Sequence, residues 1–385
     1  MRVWIENPFD NLPLEGFRPQ RYWLMAEAFA CAGHEATLWT ADFNHTTKAR
    51  RAISGEAEGF TLRLVHEPPY SRNVSLGRML SHWRYSREWS RLAEAAAKEC
   101  GAPDLIVVST PPLSTGAVAR RMASKFGAKL VLDVMDAWPE TFERVAPKAL
   151  LWPLRRLARA NYLGADAITV VADRYIDLVR GYGFKGDVRR FYHGIDMTGA
   201  SAGPRVNDGV LRLAYAGNLG RTYDLATVVR AVAEIPSATL DIAGRGDGEA
   251  ALRRLAEDVG VASRVRFRGY LGEEYLSRMF AECNVGIIPM DDASCVGVPY
   301  KFCDYAKAAL AIVSSLGGET ARLLARYNAG AVYRPSDAAS LVRTLRSLDI
   351  RTAGGNAFRM AGAELDAKAI YAAYAQAWTG GGIAL

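Results

Sequence analysis

The sequence is poor in the side chains that build metal and disulfide sites. Cysteine occurs five times in 385 residues (Cys31, Cys100, Cys283, Cys295 and Cys303), no two of them at metal-ligand spacing, and histidine is equally scarce. An odd, scattered set of thiols argues against a disulfide framework and for reduced cysteines. No stretch approaches the roughly 20 apolar residues that span a bilayer. The opening "MRVWIENPFD" begins directly on a strand pattern, without a basic region followed by a long apolar run. Together these absences point to a cytoplasmic chain.

What is present is ordinary for a packed α/β protein: half of the residues are hydrophobic and 23% are charged. The net charge of +7, spread over this length, does not mark a nucleic-acid binder, although a basic face attracts phosphates or an anionic membrane surface. One segment invites the second option. "APKALLWPLRRLARANYLGA" (146 to 165) mixes Leu, Trp and Tyr with three arginines and a lysine. It reads either as a helix in peripheral contact with the inner face of a membrane or as a helix with one buried and one solvated side.

A chain this long exceeds what one core fills, and its pattern divides accordingly. In the first half the strand-like runs "RVWIE", "EATLWT", "DLIVVST", "KLVLDVMD" and "AITVV" alternate with helical patterns, the longest being "LGRMLSHWRYSREWSRLAEAAAKECG". The small, polar "SAGPRVNDG" (201 to 209) then reads as a linker. After it the alternation restarts with "RLAYAG", "TLDIAG", "VRFRGY", "VGIIPM", "LAIVSS" and "AGAVYR". The expectation is an α/β chain of two Rossmann-like domains, 1–200 and 210–364, each with a doubly wound parallel sheet. A last helical stretch, 365–385, follows. Ligands of such sheets bind beyond the carboxyl ends of the strands, so two facing sheets place the site in the cleft between them.

Polar clusters do follow strands. In "AYAGNLGRTYDLATVV" a strand ends at Gly217, a turn holds Asn218, Gly220 and Arg221, and a helix starts near Asp224. Small residues let backbone N–H groups approach an anion, the helix start adds positive potential, and Arg221 pairs with phosphate oxygens; a plain strand-to-helix turn is the alternative. "AGRGDG" carries Gly244, Arg245, Gly246, Asp247 and Gly248 but lacks the spacing of a dinucleotide fingerprint, and glycines chosen for positive φ explain it as well. In "PYKFCDY", Pro299 sets the first turn of a helix on which Lys301 and Asp304, three apart, share one face. A lysine there suits a diphosphate and a carboxylate suits a ribose diol; a surface ion pair is the alternative reading. "DVMDAWPE" places Asp136 and Glu140 after a strand, where carboxylates handle protons or sugar hydroxyls. Arg18 and Arg21 follow the first strand, and Asn44 and His45 follow the second.

The series "GNLGRTYDL", "AGRGDGEAAL", "VGIIPM", "PYKFCDYAKAALAIVSS" and "GGETARLL", with "DVMDAWPE" and "YHGIDM" upstream, resembles the retaining GT-B glycosyltransferases of the family 4 type. It is most similar to the bacterial polysaccharide branch with "DxxDxWP" and "P-x-K-x-x-E/D-Y" segments. The resemblance spans nearly the whole chain. It implies a GT-B fold and transfer of a sugar, with retention of configuration, from a nucleotide-sugar donor to a glycan or lipid-linked acceptor. UDP is favoured by family frequency. No metal or other cofactor is implied, since no Asp-x-Asp element follows a strand in donor-binding position.

By this resemblance Gly217, Asn218, Gly220 and Arg221 hold the diphosphate, Asp304 holds the ribose, and Gly244, Arg245, Asp247, Pro299, Lys301 and Phe302 complete the donor site. Arg221 stands where lysine is common, Asp304 stands where glutamate is usual, and Gly297 occupies the place of a second glutamate. Asp136, His45, Arg221 and Lys301 are then the expected catalytic groups, with Arg18, Arg21, Asn44 and Glu140 on the acceptor side and 365–385 returning to the first domain. A non-hydrolysing sugar-nucleotide epimerase of the same architecture is the alternative. A nicotinamide-dependent oxidoreductase has only "AGRGDG" in its favour, and a non-catalytic sugar-nucleotide binder stays open.

Overall fold

The computed structural model describes residues 1–379 apart from 54, 74, 145, 203–208, 221 and 291–295. The chain forms two compact units, Met1–His193 with the C-terminal segment from Ala367, and Gly194–Asp366. The division at His193 lies ahead of the linker expected at 201–209. The backbone from Gly194 is tied into the second unit where Ile195 pairs with the 365–366 segment, its N–H donating to the Leu365 carbonyl at 2.7 Å.

The first unit contains β1 (Arg2–Glu6), α1 (Arg21–Cys31), β2 (Glu35–Ala41), a small hairpin of β3 (Phe43–Asn44) and β4 (Ala49–Arg50), β5 (Thr61–Val65), and α2 (Leu76–Cys100). It continues through β6 (Leu105–Thr110), α3 (Leu113–Phe126), β7 (Lys129–Val134), α4 (Trp152–Leu163), β8 (Ala167–Val170), α5 (Asp173–Gly181) and β9 (Asp187–Arg190). Its parallel sheet runs β5-β2-β1-β6-β7-β8-β9, so the strand order reverses between β1 and β6. β6, β7 and β8 are buried at nearly every position because helices cover both faces of the sheet.

The second unit contains β10 (Arg212–Ala216), α6 (Leu225–Glu234), β11 (Thr239–Ala243), α7 (Glu249–Asp258), β12 (Val265–Gly269), α8 (Glu273–Glu282) and β13 (Val285–Ile288). Then come α9 (Tyr300–Lys307), β14 (Ala311–Ser314), α10 (Gly318–Tyr327), β15 (Gly330–Val332), α11 (Ala338–Ser347) and α12 (Ile350–Glu364). The order β12-β11-β10-β13-β14-β15 puts its switch point between β10 and β13. The last helix, α13 (Ala367–Thr379), belongs to the first unit and packs on α1. Among the described residues no helix is long and apolar enough to cross a membrane.

Candidate functional site

In the second unit the switch point brings together the turn after β10 and the first turn of α9. Pro299 takes extended backbone at the N-cap, and α9 starts with Lys301 pointing inward. The residue is only 7% exposed, and its ammonium is buried, has no hydrogen-bond partner, and lies 4.1 Å from the Tyr215 ring centroid and 3.8 Å from that of Tyr223. Two phenol faces attract a cation, yet burial still pushes this lysine down to about 7, with Asp304 one turn on pulling upward.

Gly217 follows β10 at φ 146°, and a methyl group there would stand 2.9 Å from the Lys301 Nζ. The absent side chain therefore leaves the backbone of the turn open beside the cation. Tyr215 fixes that turn by donating its hydroxyl to the Asn218 carbonyl at 2.6 Å, and Tyr305 receives the Ala216 N–H at 3.0 Å. Asp224 caps α6, accepting from the Thr227 N–H at 3.1 Å.

The "AGRGDG" turn is fitted onto this one. Leu219 N–H donates to the Arg245 carbonyl at 3.0 Å and Gly248 N–H to the Leu219 carbonyl at 2.9 Å. Side chains at Gly244, Gly246 or Gly248 would drive into backbone atoms of Gly217 or Leu219 at 1.8 to 2.7 Å. Only Gly244 of the three has positive φ, so close approach of two turns, rather than φ alone, selects these glycines. Arg245 and Asp247 are exposed, as is Asn218. Asp304 is half-buried, whereas the Phe302 side chain is fully buried in the interior and offers a ligand no surface. Arg221 lies outside the described residues.

In the first unit the expected residues scatter. Arg21 is a correction: it is wholly buried, forming a two-pronged ion pair with Asp133 (both N–O distances 2.7 Å) and donating to the Phe191 and Tyr192 carbonyls at 3.0 Å. The Tyr22 and Thr169 hydroxyls also donate to Asp133, at 2.7 and 2.6 Å, and these partners hold its carboxyl below the usual range despite burial. Asn44 is likewise committed, its carbonyl oxygen taking the Thr46 and Thr47 N–H groups and its amide donating to Asn11 and Glu15. Glu140 accepts from the Tyr182 hydroxyl at 2.5 Å and faces Arg155. Arg18 sits half-buried on the loop before α1.

His45 and Asp136 do border one cluster, built around a residue that the sequence reading missed. The Arg78 guanidinium lies over the rings of Phe9 (5.2 Å), Tyr70 (5.7 Å) and Trp138 (5.2 Å) and donates to the His82 Nε2 at 3.2 Å. His45 Nδ1 pairs with the Tyr70 hydroxyl at 2.6 Å. Burial, then Arg78, push both histidines down to about 3, so both are neutral imidazoles. Asp136 has its carboxyl raised by burial, against the pull of the Ala137 N–H, Trp138 and Arg78. An aromatic arrangement with a cation at its centre has no local sequence signature, because Phe9, Tyr70, Arg78 and Trp138 come from separate loops and a helix.

Family models match both halves: the Glycosyltransferase Family 4 domain covers residues 21–198 and the Glycosyl transferases group 1 domain covers 211–348. No curated protein matches the sequence. Among solved structures, sucrose-phosphate synthase from Thermosynechococcus elongatus is 17% identical, with 98% of each chain covered and a TM-score of 0.74. Anabaena HepE in complex with UDP is 13% identical, covering 97% of this chain and 98% of its own, with a TM-score of 0.70. The E. coli trehalose-6-phosphate structure bound with UDP-2-fluoro glucose is 12% identical, covering 97% and 98%, with a TM-score of 0.66. At these identities the likeness is one of fold. Matched in chain order by the two domains of one architecture, the chain belongs to the GT-B glycosyltransferases, its first half of the family 4 type and its second of group 1.

Proposed function

We propose that the chain moves a sugar from a UDP-sugar to a glycan or lipid-linked acceptor with retention of configuration, in polysaccharide or glycoconjugate synthesis. The observation that carries this reading is Lys301, a buried, unpartnered ammonium at the β10/β13 switch point beside an open glycine backbone. Buried cations without counter-ions are costly, and an anion delivered by a ligand removes that cost. UDP and UDP-sugars in structures of this fold supply the class of anion.

In the reaction the bond from the sugar C1 to the diphosphate oxygen breaks, and its electron pair leaves on that oxygen. Lys301 neutralises the charge developing there, assisted by Arg221, which follows Gly220 in the sequence. The acceptor hydroxyl bonds to C1 on the face the diphosphate leaves, and its proton passes to the departing phosphate oxygen. Asp304 accepts hydrogen bonds from the ribose. His45, a neutral imidazole, and Asp136, both in the first unit, position the acceptor. No resident metal ion is part of this reading.

A thermal-shift panel of UDP, GDP, ADP, dTDP and their sugar conjugates tests it, since a ligand of the native state raises the melting temperature. UDP and its sugars are expected to stabilise the protein, and Lys301→Ala to abolish the effect. No response to any nucleotide overturns the proposal. Donor consumption without an acceptor overturns transfer in favour of epimerisation.

A further inference from the structure

The loops that follow β2 and β5 gather positive charge around Tyr70. Lys48 lies in the turn of the β3–β4 hairpin, with its ammonium 4.6 Å over the Tyr70 ring. Arg72 is exposed two residues beyond Tyr70, and the Arg78 guanidinium stands 5.7 Å over the same ring. Asn73 ties two of these cations together: its side-chain oxygen accepts from the Lys48 Nζ at 2.6 Å, and its backbone carbonyl accepts from Arg78 at 2.7 Å. Among the described residues none of the three cations forms an ion pair with a carboxylate. Lys48 also takes left-handed backbone at φ 58°, which is rare for a residue with a side chain, so the turn presents this ammonium at a backbone cost that glycine would avoid.

Acidic groups stand nearby but are engaged elsewhere or held back from ionising. Asp42 pairs with Arg50 and His66, and Glu15 pairs with Arg51. Glu67 and Asp136 pull on Arg78 without pairing with it. Glu67 is fully buried, takes the Ser81 hydroxyl at 3.2 Å, and is pushed up to about 7 by burial, which raises Asp136 too. The cations feel the shortfall. Burial and then the charge of Arg78 hold the Lys48 ammonium below its usual range.

Against this cluster lies a cavity of about 560 Å³, lined by Lys48, Pro69, Tyr70, Arg72 and small residues, none of them acidic. His45 adjoins it, with its Nδ1 2.6 Å from the Tyr70 hydroxyl. A space of this size takes a small organic ligand, and a lone inorganic anion would leave most of it unfilled. The lining asks for two things at once: an oxyanion for the cations, and a ring to lie on the flat wall of Tyr70 and Pro69. We propose that this cavity is a subsite for an acidic saccharide, whose carboxylate or phosphoryl group binds Lys48 and Arg72 while its ring rests on Tyr70 and Pro69. The inference rests on the transfer reading only in that the saccharide is then the acceptor, or its terminal residue.

Calorimetric titration of the full chain with glucuronate, glucose 1-phosphate, glucose and inorganic phosphate tests this. At least one of the two sugar acids is expected to bind about tenfold or more tightly than glucose and than inorganic phosphate. Glucuronate alone identifies a carboxylate and glucose 1-phosphate alone a phosphoryl group; either supports the proposal. Lys48→Gly/Arg72→Ser is expected to lower that affinity at least about tenfold. Glycine suits the backbone at 48 and Arg72 is exposed, so this variant is expected to melt with the wild type; Arg72→Gln alone gives a second reading if it melts earlier. Lys301→Ala is expected to keep the sugar-acid response while losing the UDP response, and Lys48→Gly/Arg72→Ser to do the reverse. That crossing separates failure of this inference from failure of the donor assignment. Sugar acids that bind no better than glucose overturn the proposal, as does inorganic phosphate that binds as tightly as they do. So does affinity untouched by the changes at 48 and 72, or abolished by Lys301→Ala, because the acid then occupies another site.

Discussion

Lys301 is held against its own preference for water. Its ammonium titrates near 7 in the native chain and near 10.5 when unfolded, so between those values the unfolded chain binds a proton that the native one does not. Stability from this site therefore rises with pH across that window and is lowest below about 7. Lys301→Met removes a buried charge and keeps most of the volume. It is expected to stabilise the ligand-free protein by a few kcal/mol at neutral pH, on the order that such a shift represents. The same change is expected to weaken UDP binding by about tenfold or more, the worth of a charge-assisted bond. Calorimetry in the wild type should show affinity falling as pH rises above about 7, where binding must take up a proton, and the variant should lose that dependence. Equal affinity in the two proteins would contradict the assignment. The sequence shows this lysine after a strand and before Asp304, but not its setting, since Tyr215 and Tyr223 read only as parts of a strand and a turn. Arg21 was hidden for the converse reason: its partner Asp133 is 112 residues away, and no local pattern reports a buried pair.

At the scale of elements, the glycine turns after β10 and β11 act as one piece. Gly246→Ala would put a methyl group 2.6 Å from the Asn218 Oδ1 and 2.7 Å from the Leu219 backbone. Because a backbone cannot yield as a flexible side chain does, the expected cost is about 1–3 kcal/mol. UDP binding should weaken as well, through displacement of the 217–220 turn. Gly355→Ala is the control: nothing lies within 4 Å of the added carbon in the middle of α12, so a gain of about 0.5–1 kcal/mol is expected from helix propensity. Chemical denaturation and UDP titration of both variants decide the matter, and a neutral Gly246→Ala would refute the coupling. The strands of the second unit were readable because most are short apolar runs closed by Gly, Pro or polar residues, while the edge strand β12, "VRFRG", alternates apolar and charged positions. β5 and β9 were not. β5, "TLRLV", is an edge strand buried only at Val65, and β9, "DVRR", carries three charges on the opposite edge, so neither shows the continuous apolar signature of an inner strand.

For the molecule as a whole, the decisive connection is the return of the chain into the first unit at Ala367. Positions 367, 371, 374, 375 and 378 of α13 are buried, a helical stripe carrying Tyr371, Tyr374 and Trp378. Tyr374 packs on Phe191 at 4.8 Å and meets the Thr169 hydroxyl at 3.2 Å, while Tyr371 donates to the His193 carbonyl. Arg21 lies 5.8 and 6.0 Å from the centroids of Tyr371 and Tyr374, so the buried Arg21–Asp133 pair is roofed by α13. Each large aromatic removed from a core costs about 3–5 kcal/mol. Losing all three, about 9–15 kcal/mol, and exposing the ion pair besides, is as large as the roughly 5–15 kcal/mol that typically holds a domain together. Deleting residues 367–385 is therefore expected to abolish cooperative unfolding of the first unit. The core of the second unit, built on Leu213, Tyr215, Val228, Leu240, Val285 and Val313, contains none of the deleted residues and should keep its own transition. Scanning calorimetry with limited proteolysis reads both outcomes: cleavage within the first 193 residues alongside a protected 194–366 fragment supports the assignment. Full protection of the first unit in the truncated chain would show that α13 contributes little to its core.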